Sequence, residues 1–267
     1  MYETLKVERE GALVWLTLDR PDRLNAMSQG LIRDLTDFFG TVALDREARV
    51  IVLRGAGRAF CAGFDMKEET GAPEGGLGST VSNGLRVQRR FSEVTLRMLR
   101  VPQPIIAALH GSACGGGLAL ALAADVRIAA ESLRMNAAFV RIGLTGCDMG
   151  VSYFLPRIVG ASLAAELLLT GNFIDATRAE RIGLVSRVVP DAELESAART
   201  LAGDMLRNSP LGVRLTKECL NMNLDAGSLE QAINMEDRNQ ILCSRTEDFR
   251  EGVRAFLEKR PAQFRDR

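Results

Sequence analysis

Histidine is nearly absent: His110 is the single imidazole in the 267-residue chain. A zinc site, a Ser-His-Asp triad or a Cys-His pair would each need it at the centre, and no G-x-S-x-G elbow accompanies it. His110 lies between an apolar strand and a glycine turn, where a structural hydrogen bond is its expected role. Metal and nucleophile chemistry therefore drop away. Net charge is missing too. Lys+Arg and Asp+Glu number 34 each, which leaves no global field to gather nucleic acid or an anionic membrane. No apolar run reaches the roughly 20 residues of a membrane span, and Met1 to Glu10 is too mixed and charged for a signal or transit peptide. The five cysteines (61, 114, 147, 219 and 243) are odd in number and never spaced C-x-x-C, which points to reduced thiols. The expectation is a cytoplasmic protein.

What is present is ordinary in bulk and uneven in detail. Apolar residues make up 46% and charged residues 25%, as in a globular chain long enough to bury a full core. Leu5–Arg9 and Ala12–Leu18 alternate like a hairpin around Glu10-Gly11. Ser28 is placed to cap a helix running to about Ala43, with Leu31, Leu35, Phe38, Phe39 and Val42 at helical spacing. Val50–Leu53 reads as a strand buried on both faces. Gly55–Lys67 reads as a loop, and Glu68–Asn83, rich in Gly, Ser and Thr, as a mobile stretch fit for a lid. A helix over Leu85–Leu99, a strand at Ile105–Leu109, a second helix and a strand at Val126–Ala129 follow. Strands alternating with helices predict βαβ units and a mainly parallel sheet. Beyond Val189-Pro190 the chain becomes almost wholly helical, with start signals at Ser209-Pro210, Ser228/Gln231 and Thr246. Residues 1–189 are thus expected to form an α/β core, and 190–267 a helical cover or subunit interface.

Two glycine-rich stretches stand out. In ALHGSACGGGLALALAAD (Ala108–Asp125), Gly115, Gly116 and Gly117 precede a helix without a polar residue from Leu118 to Ala124. Glycine lets a ligand oxygen approach the backbone, and the first N–H groups of a helix are unpaired and partly positive. Such a place suits an anion, or an oxygen that becomes negative during reaction; close helix–strand packing is the other account of the glycines. In GRAFCAGFDMKE (Gly57–Glu68), Gly63 again permits close approach, and Phe64 offers an N–H beside an apolar wall. Both loops follow strands and so could meet at one sheet edge.

These stretches, with RPDRLNAM (Arg20–Met27), LPRIVG (Leu155–Gly160), LTGNFIDATRAERIGLVSRVV (Leu169–Val189) and FLEKRPAQF (Phe256–Phe264), resemble the crotonase, or enoyl-CoA hydratase/isomerase, superfamily in order along nearly the whole chain. The resemblance implies a spiral of ββα turns with a C-terminal helical region, assembled as a homotrimer or dimer of trimers. It implies an acyl-CoA thioester as substrate, with CoA as part of that substrate and no other cofactor or metal. Phe64 and Gly116 become the oxyanion-hole donors to the thioester carbonyl. Arg23, Leu24 and Ala26 would border CoA, and Ala62, Asp65, Met66 and Lys67 would line the adenine and pantetheine path. Phe256 and Lys259 match the F-x-x-K that reaches CoA, often that of a neighbouring subunit. For Arg23 and Lys259 a solvated surface charge is the competing account.

The pattern breaks at the acids. The two glutamates of the family's hydratases fall on Ala119 and Phe139, and neither can transfer a proton. Asp148, aligned leftward from Leu155-Pro156-Arg157, matches the aspartate of the dienoyl-CoA isomerases and of 4-chlorobenzoyl-CoA dehalogenase. An ordinary helix N-cap is its other account. With Asp148 as acid/base, allylic isomerisation is chemically easier than hydration. The alternatives are a catalytically silent acyl-CoA-binding protein and aryl-CoA hydrolase or dehalogenase chemistry beside an aromatic Phe139. Glu68, Glu69 and Glu74 are reserve candidates for a second acid.

Overall fold

The computed structural model describes residues 2–70 and 80–267. Strands β1 (Leu5–Glu10) and β2 (Leu13–Leu18) form the expected hairpin, with Gly11 at φ +59° in the turn. Ser28 accepts the Leu31 N–H and opens α1 (Gln29–Val42), whose apolar stripe is buried. After β3 (Val50–Gly55) come α2 (Met66–Thr70) and α3 (Val81–Arg100). Both helices extend into the stretch expected to be mobile. Thr80 explains the early start of α3, since its hydroxyl accepts the Asn83 N–H and caps the helix. The remainder of that stretch, with Glu74, lies outside the described residues.

Next in order are β4 (Ile105–Leu109), β5 (Ser112–Cys114), α4 (Gly116–Ala123), β6 (Val126–Ala130) and β7 (Arg134–Asn136). Then follow a 3₁₀ turn at Ala138–Ile142, α5 (Val151–Val159), α6 (Ala161–Thr170), β8 (Ile174–Asp175), α7 (Ala176–Arg181) and β9 (Val188–Val189). The large sheet has the order β1-β2-β3-β4-β6-β9 and is parallel from β2 onward. A small sheet joins β5, β7 and β8. Their relation defines a coil. β4 in the large sheet leads to β5 in the small one and then to α4; β6 leads to β7 in the same way. The first such turn is completed by Cys61, which bridges Ala113 of β5 without forming a longer strand. The sequence analysis missed the small sheet, because strands of two or three residues carry no readable alternation.

Both faces of the large sheet are covered, as its continuous apolar strands require. Val14, Leu16, Ile51, Leu53, Ala107 and Leu109 pack with α1, α3 and α4, whereas Trp15, Val52, Ile106 and Ile128 pack under α8 (Leu194–Leu206) through Leu194, Ala198 and Ala202. Beyond α8 lie α9 (Pro210–Asn223), α10 (Leu229–Ser244) and α11 (Glu247–Leu257), capped by Ser209, Ser228 and Thr246 as expected. Among the described residues no helix is long and apolar enough to cross a membrane.

A buried cation docks α9 on the core. Lys217 Nζ donates to the Met98 carbonyl (3.1 Å) and the Gln103 carbonyl (3.0 Å), and pairs with Asp125 at 2.8 Å. Asp125 also accepts the Ile105 N–H (2.7 Å). Burial pulls the Lys217 pKa below its usual value, against the opposing pull of Asp125. Removing one partner of a buried pair leaves the other's desolvation uncompensated. Lys217→Met is therefore expected to lower the unfolding free energy by about 3 kcal/mol, read from guanidinium denaturation, and Asp125→Asn in the same chain should recover part of the loss.

Candidate active site

The two glycine-rich loops meet edge to edge. The Cys61 N–H donates to Ser112 O (2.9 Å) and the Cys114 N–H donates back to Cys61 O (3.0 Å). Contact is so close that a Cβ on Gly117 would lie 2.1 Å from the Cys61 carbonyl oxygen. A Cβ on Gly63, at φ +99°, would lie 2.8 Å from the Cys114 carbonyl oxygen and 3.7 Å from the Gly116 nitrogen. Close packing therefore accounts for Gly63 and Gly117 directly.

Two N–H groups are left over at this junction. Phe64 is bridged to Met27 in parallel fashion: the Met27 N–H donates to Gly63 O (2.7 Å) and the Asp65 N–H to Met27 O (3.1 Å). The bonds are made by the residues flanking Phe64, so its own N–H points the other way. On the facing loop, Gly116 opens α4, and Ala119 is the first residue bonded back into the helix, to Gly115 O at 3.0 Å. Among the described residues neither the Phe64 nor the Gly116 N–H has an acceptor. Every residue of α4 is buried, so its N-terminal partial charge is weakly screened.

The walls are apolar and soft. The Phe64 ring packs on Phe91 of α3 at 5.0 Å between centroids. The Met27 and Met149 sulfurs occupy the side of Gly116 where a Cβ would project, and the Phe139 ring lies on the corresponding side of Gly115. Ala119 and Phe139 are buried. Burial pushes the Cys61 thiol up to about 12 and the Cys114 thiol to about 11. Neither is a thiolate at neutral pH.

Asp148 precedes Met149, the residue whose sulfur reaches this wall. The aspartate is half-buried and does not cap α5: the N-cap is Gly150, and no side chain bonds there. Its Oδ1 instead accepts the Met149 N–H (2.7 Å) and the side-chain amide of Gln88 (2.5 Å). Burial raises the Asp148 pKa above the ordinary carboxylate value, and the two hydrogen bonds only partly offset it. Gln88 escaped the sequence analysis. The only available signal was a polar residue next to Val87 on the buried stripe of α3.

Asp65 has the opposite environment. It is buried, pairs with Arg20 at 2.9 Å and accepts the Glu68 N–H. Burial would raise its pKa, but the Arg20 guanidinium and the backbone donors of Glu68 and Lys67 outweigh it and hold the carboxyl below its usual value. Arg20 also donates to Ala26 O (2.5 Å), and the buried Asn25 side chain to Ala56 O (2.9 Å) and Ala59 O (2.8 Å). These bonds tie Arg20–Met27 to the Phe64 loop. Along the seam Leu24 and Ala62 are half-buried, Ala26 is buried, and Arg23, Met66 and Lys67 are exposed. Phe256 (82% exposed) and Lys259 sit on and just after α11, far along the chain in the helical region. His110 holds the Gly57 carbonyl at 2.9 Å, a structural bond.

Fold and junction together define a class, and comparison with known proteins identifies it. Residues 8–267 match the enoyl-CoA hydratase/isomerase family. The chain is 42% identical over 252 residues to the probable enoyl-CoA hydratase EchA12 of Mycobacterium tuberculosis (94% of this chain, 88% of that protein). To the 1,2-epoxyphenylacetyl-CoA isomerase of Escherichia coli it is 35% identical over 264 residues (99% of both). The crystal structure of enoyl-CoA hydratase from Bacillus anthracis superposes with a TM-score of 0.93 at 32% identity, covering 99% of this chain and 100% of that one. The chain belongs to the enoyl-CoA hydratase/isomerase family of the crotonase superfamily, and its fold is the crotonase ββα spiral with a C-terminal helical region.

Two outcomes test this geometry. A Cβ on Gly117 meets backbone, whereas one on Gly116 meets the sulfur of the buried Met27 side chain, which can shift where backbone cannot. Gly117→Ala should therefore cost about 3 kcal/mol, and Gly116→Ala about 1 kcal/mol, in thermal denaturation. Asp65 has a depressed folded-state pKa, so its stabilisation is present above the unfolded value of about 4 and fades as pH falls through the folded one. Asp65→Ala is expected to lose about 3 kcal/mol at pH 7, with the gap to the unaltered protein closing in melts taken toward pH 2.

Proposed function

We propose that this protein is an acyl-CoA isomerase of the enoyl-CoA type, in which the Phe64 and Gly116 N–H groups form an oxyanion hole and Asp148 carries the proton. The observation behind this reading is the pair of acceptor-free N–H groups on facing glycine loops. A thioester carbonyl bound there gains charge as its α-proton leaves. One well-placed donor to such an oxygen is worth about 3–4 kcal/mol. Asp148 takes the proton from C2 of a 3-enoyl thioester and returns it at C4, so one carboxylate serves both transfers and no water is consumed. Its raised pKa brings it nearer the neutrality such shuttling requires. Two-acid hydration has no support here, because Ala119 and Phe139 occupy the places of the glutamates.

The CoA path runs along the seam between Arg20–Met27 and Ala62–Lys67. Arg23, Met66 and Lys67 meet the nucleotide end, Leu24, Ala26 and Ala62 form the floor, and Asp65 fixes the backbone through Arg20. Phe256 and Lys259 serve a neighbouring copy in a trimer or dimer of trimers. What supports this is the apolar surface left open on the helical region, with Leu220, Leu229, Phe249, Phe256 and Leu257 all at least half exposed. Sedimentation should give a mass that is a multiple of three chains.

The absent glutamates also support a second reading, a silent acyl-CoA-binding protein. Crotonyl-CoA and trans-3-hexenoyl-CoA, followed at the thioester absorbance and by calorimetry, separate the two. Turnover of the 3-enoyl thioester is expected; binding of several acyl chains without turnover establishes the silent binder. Asp148→Ala should lower isomerisation at least about a hundredfold while leaving thioester affinity in place. Unchanged turnover would remove Asp148 from the mechanism.

A further inference from the structure

Asp148 is held by one of its oxygens only. Oδ1 accepts the Met149 N–H and the Gln88 amide, and among the described residues no donor reaches Oδ2. Gln88 stands on α3, sixty positions away in sequence, on a helix anchored by the buried Val87, Phe91, Val94 and Met98. Its rotamer is therefore set by a rigid element and not by the turn that carries Asp148. That turn is itself unusual, with Met149 at φ +47° and Gly150 at φ +89°.

The chemistry of the donor matters. A guanidinium, as on Asp65, fixes a carboxylate in space but also holds it ionised, which disables it as a proton carrier. A primary amide bonds to the carboxylate without supplying charge. It can therefore orient Oδ1 and still let the group gain and lose a proton. Alanine or leucine at 88 would leave the Met149 N–H as the one donor to Oδ1 among the described residues, so the carboxyl would be held less firmly and either oxygen could carry the proton.

We propose that Gln88 is a positioning residue, one that pins Oδ1 of Asp148 so that Oδ2 is the atom that exchanges the proton with the substrate. The inference rests on the isomerase reading given above. It adds that the neutrality of residue 88 is as necessary as its hydrogen bond.

The Met149 amide, bonded to the same oxygen, is a built-in reporter of the Asp148 charge. Its resonance in protein labelled with ¹⁵N-methionine, assigned through Met149→Leu, would be followed against pH for the unaltered protein, Gln88→Leu and Gln88→Glu. The pH profile of trans-3-hexenoyl-CoA isomerisation would be measured on the same samples and on Asp148→Asn. In Gln88→Leu the loss of a donor to the charged form should raise the Asp148 midpoint by about one pH unit. kcat should fall about tenfold with KM nearly unchanged, the signature of misorientation. Gln88→Glu keeps the shape of the side chain, so it stands in if the leucine variant fails to fold. It should give a two-step titration shared by the carboxyl pair, with kcat falling steeply above the first step. Identical Met149 titrations in the unaltered protein and both variants overturn the proposal. So does a proportional change of kcat and KM with an unmoved pH profile, which would mark Gln88 as packing only. Full turnover by Asp148→Asn removes Asp148 as the proton carrier on which this proposal rests, whereas absence of turnover by the unaltered protein overturns the isomerase reading itself.

Discussion

Backbone-to-backbone contact between the Phe60–Asp65 loop and the Cys114–Gly117 turn is the constraint on which this molecule is built. Cys61 exchanges hydrogen bonds with Ser112 and Cys114, and the approach leaves no room for a side chain at Gly117. A buried N–H without an acceptor costs about 1–3 kcal/mol, so one on each loop persists only where the surroundings over-determine its direction. Here the Met27 bridge on one loop and the start of α4 on the other supply that determination. The spiral brings the pieces together: each coil ends a strand of the large sheet, touches the small sheet and turns into a helix. The site lies where two successive coils touch.

The two aspartates show how the same side chain is given different work by its neighbours. Asp65 faces a guanidinium and backbone donors, stays ionised and acts as a fastening for the Arg20–Met27 loop. Asp148 faces an amide, Met149 and an apolar wall, and burial raises its pKa. The same residue type thus has its pKa moved in opposite directions by its surroundings. Ala119 and Phe139 are both buried and apolar, and they keep carboxyl groups out of the wall beside the glycine turn.

The helical region divides along a line that periodicity does not reveal. α8 buries Leu194, Ala198 and Ala202 on the large sheet and so completes the core. α9 is tied down by Lys217, a cation satisfied by two carbonyls and Asp125, while the later helices keep large apolar side chains in the open. A buried ion pair adds little net stability compared with an apolar contact of the same shape. Its effect here is directional: only one placement of α9 satisfies the Met98 and Gln103 carbonyls.

Local chemistry was readable without coordinates. Ser28, Ser209, Ser228 and Thr246 cap the helices they precede, because a cap involves residues three apart. The hairpin follows from alternation, the parallel sheet from strands that alternate with helices, and the buried helix from the lack of any polar residue over Leu118–Ala124. Phe64 and Gly116 were named from glycine spacing and family likeness. The early start of α3, by contrast, was overlooked among Gly, Ser and Thr, though Thr80 marked it. The amino-acid order alone determined the long strands and helices, from the hairpin to α4, and which two loops are rich in glycine. Tertiary structure decided that Gln88 meets Asp148, that Arg20 neutralises Asp65, and that Lys217 finds Asp125. Those pairings join segments 45 or more residues apart. They depend on the pitch and register of the coils, which are set by close packing throughout the core and carry no local signature.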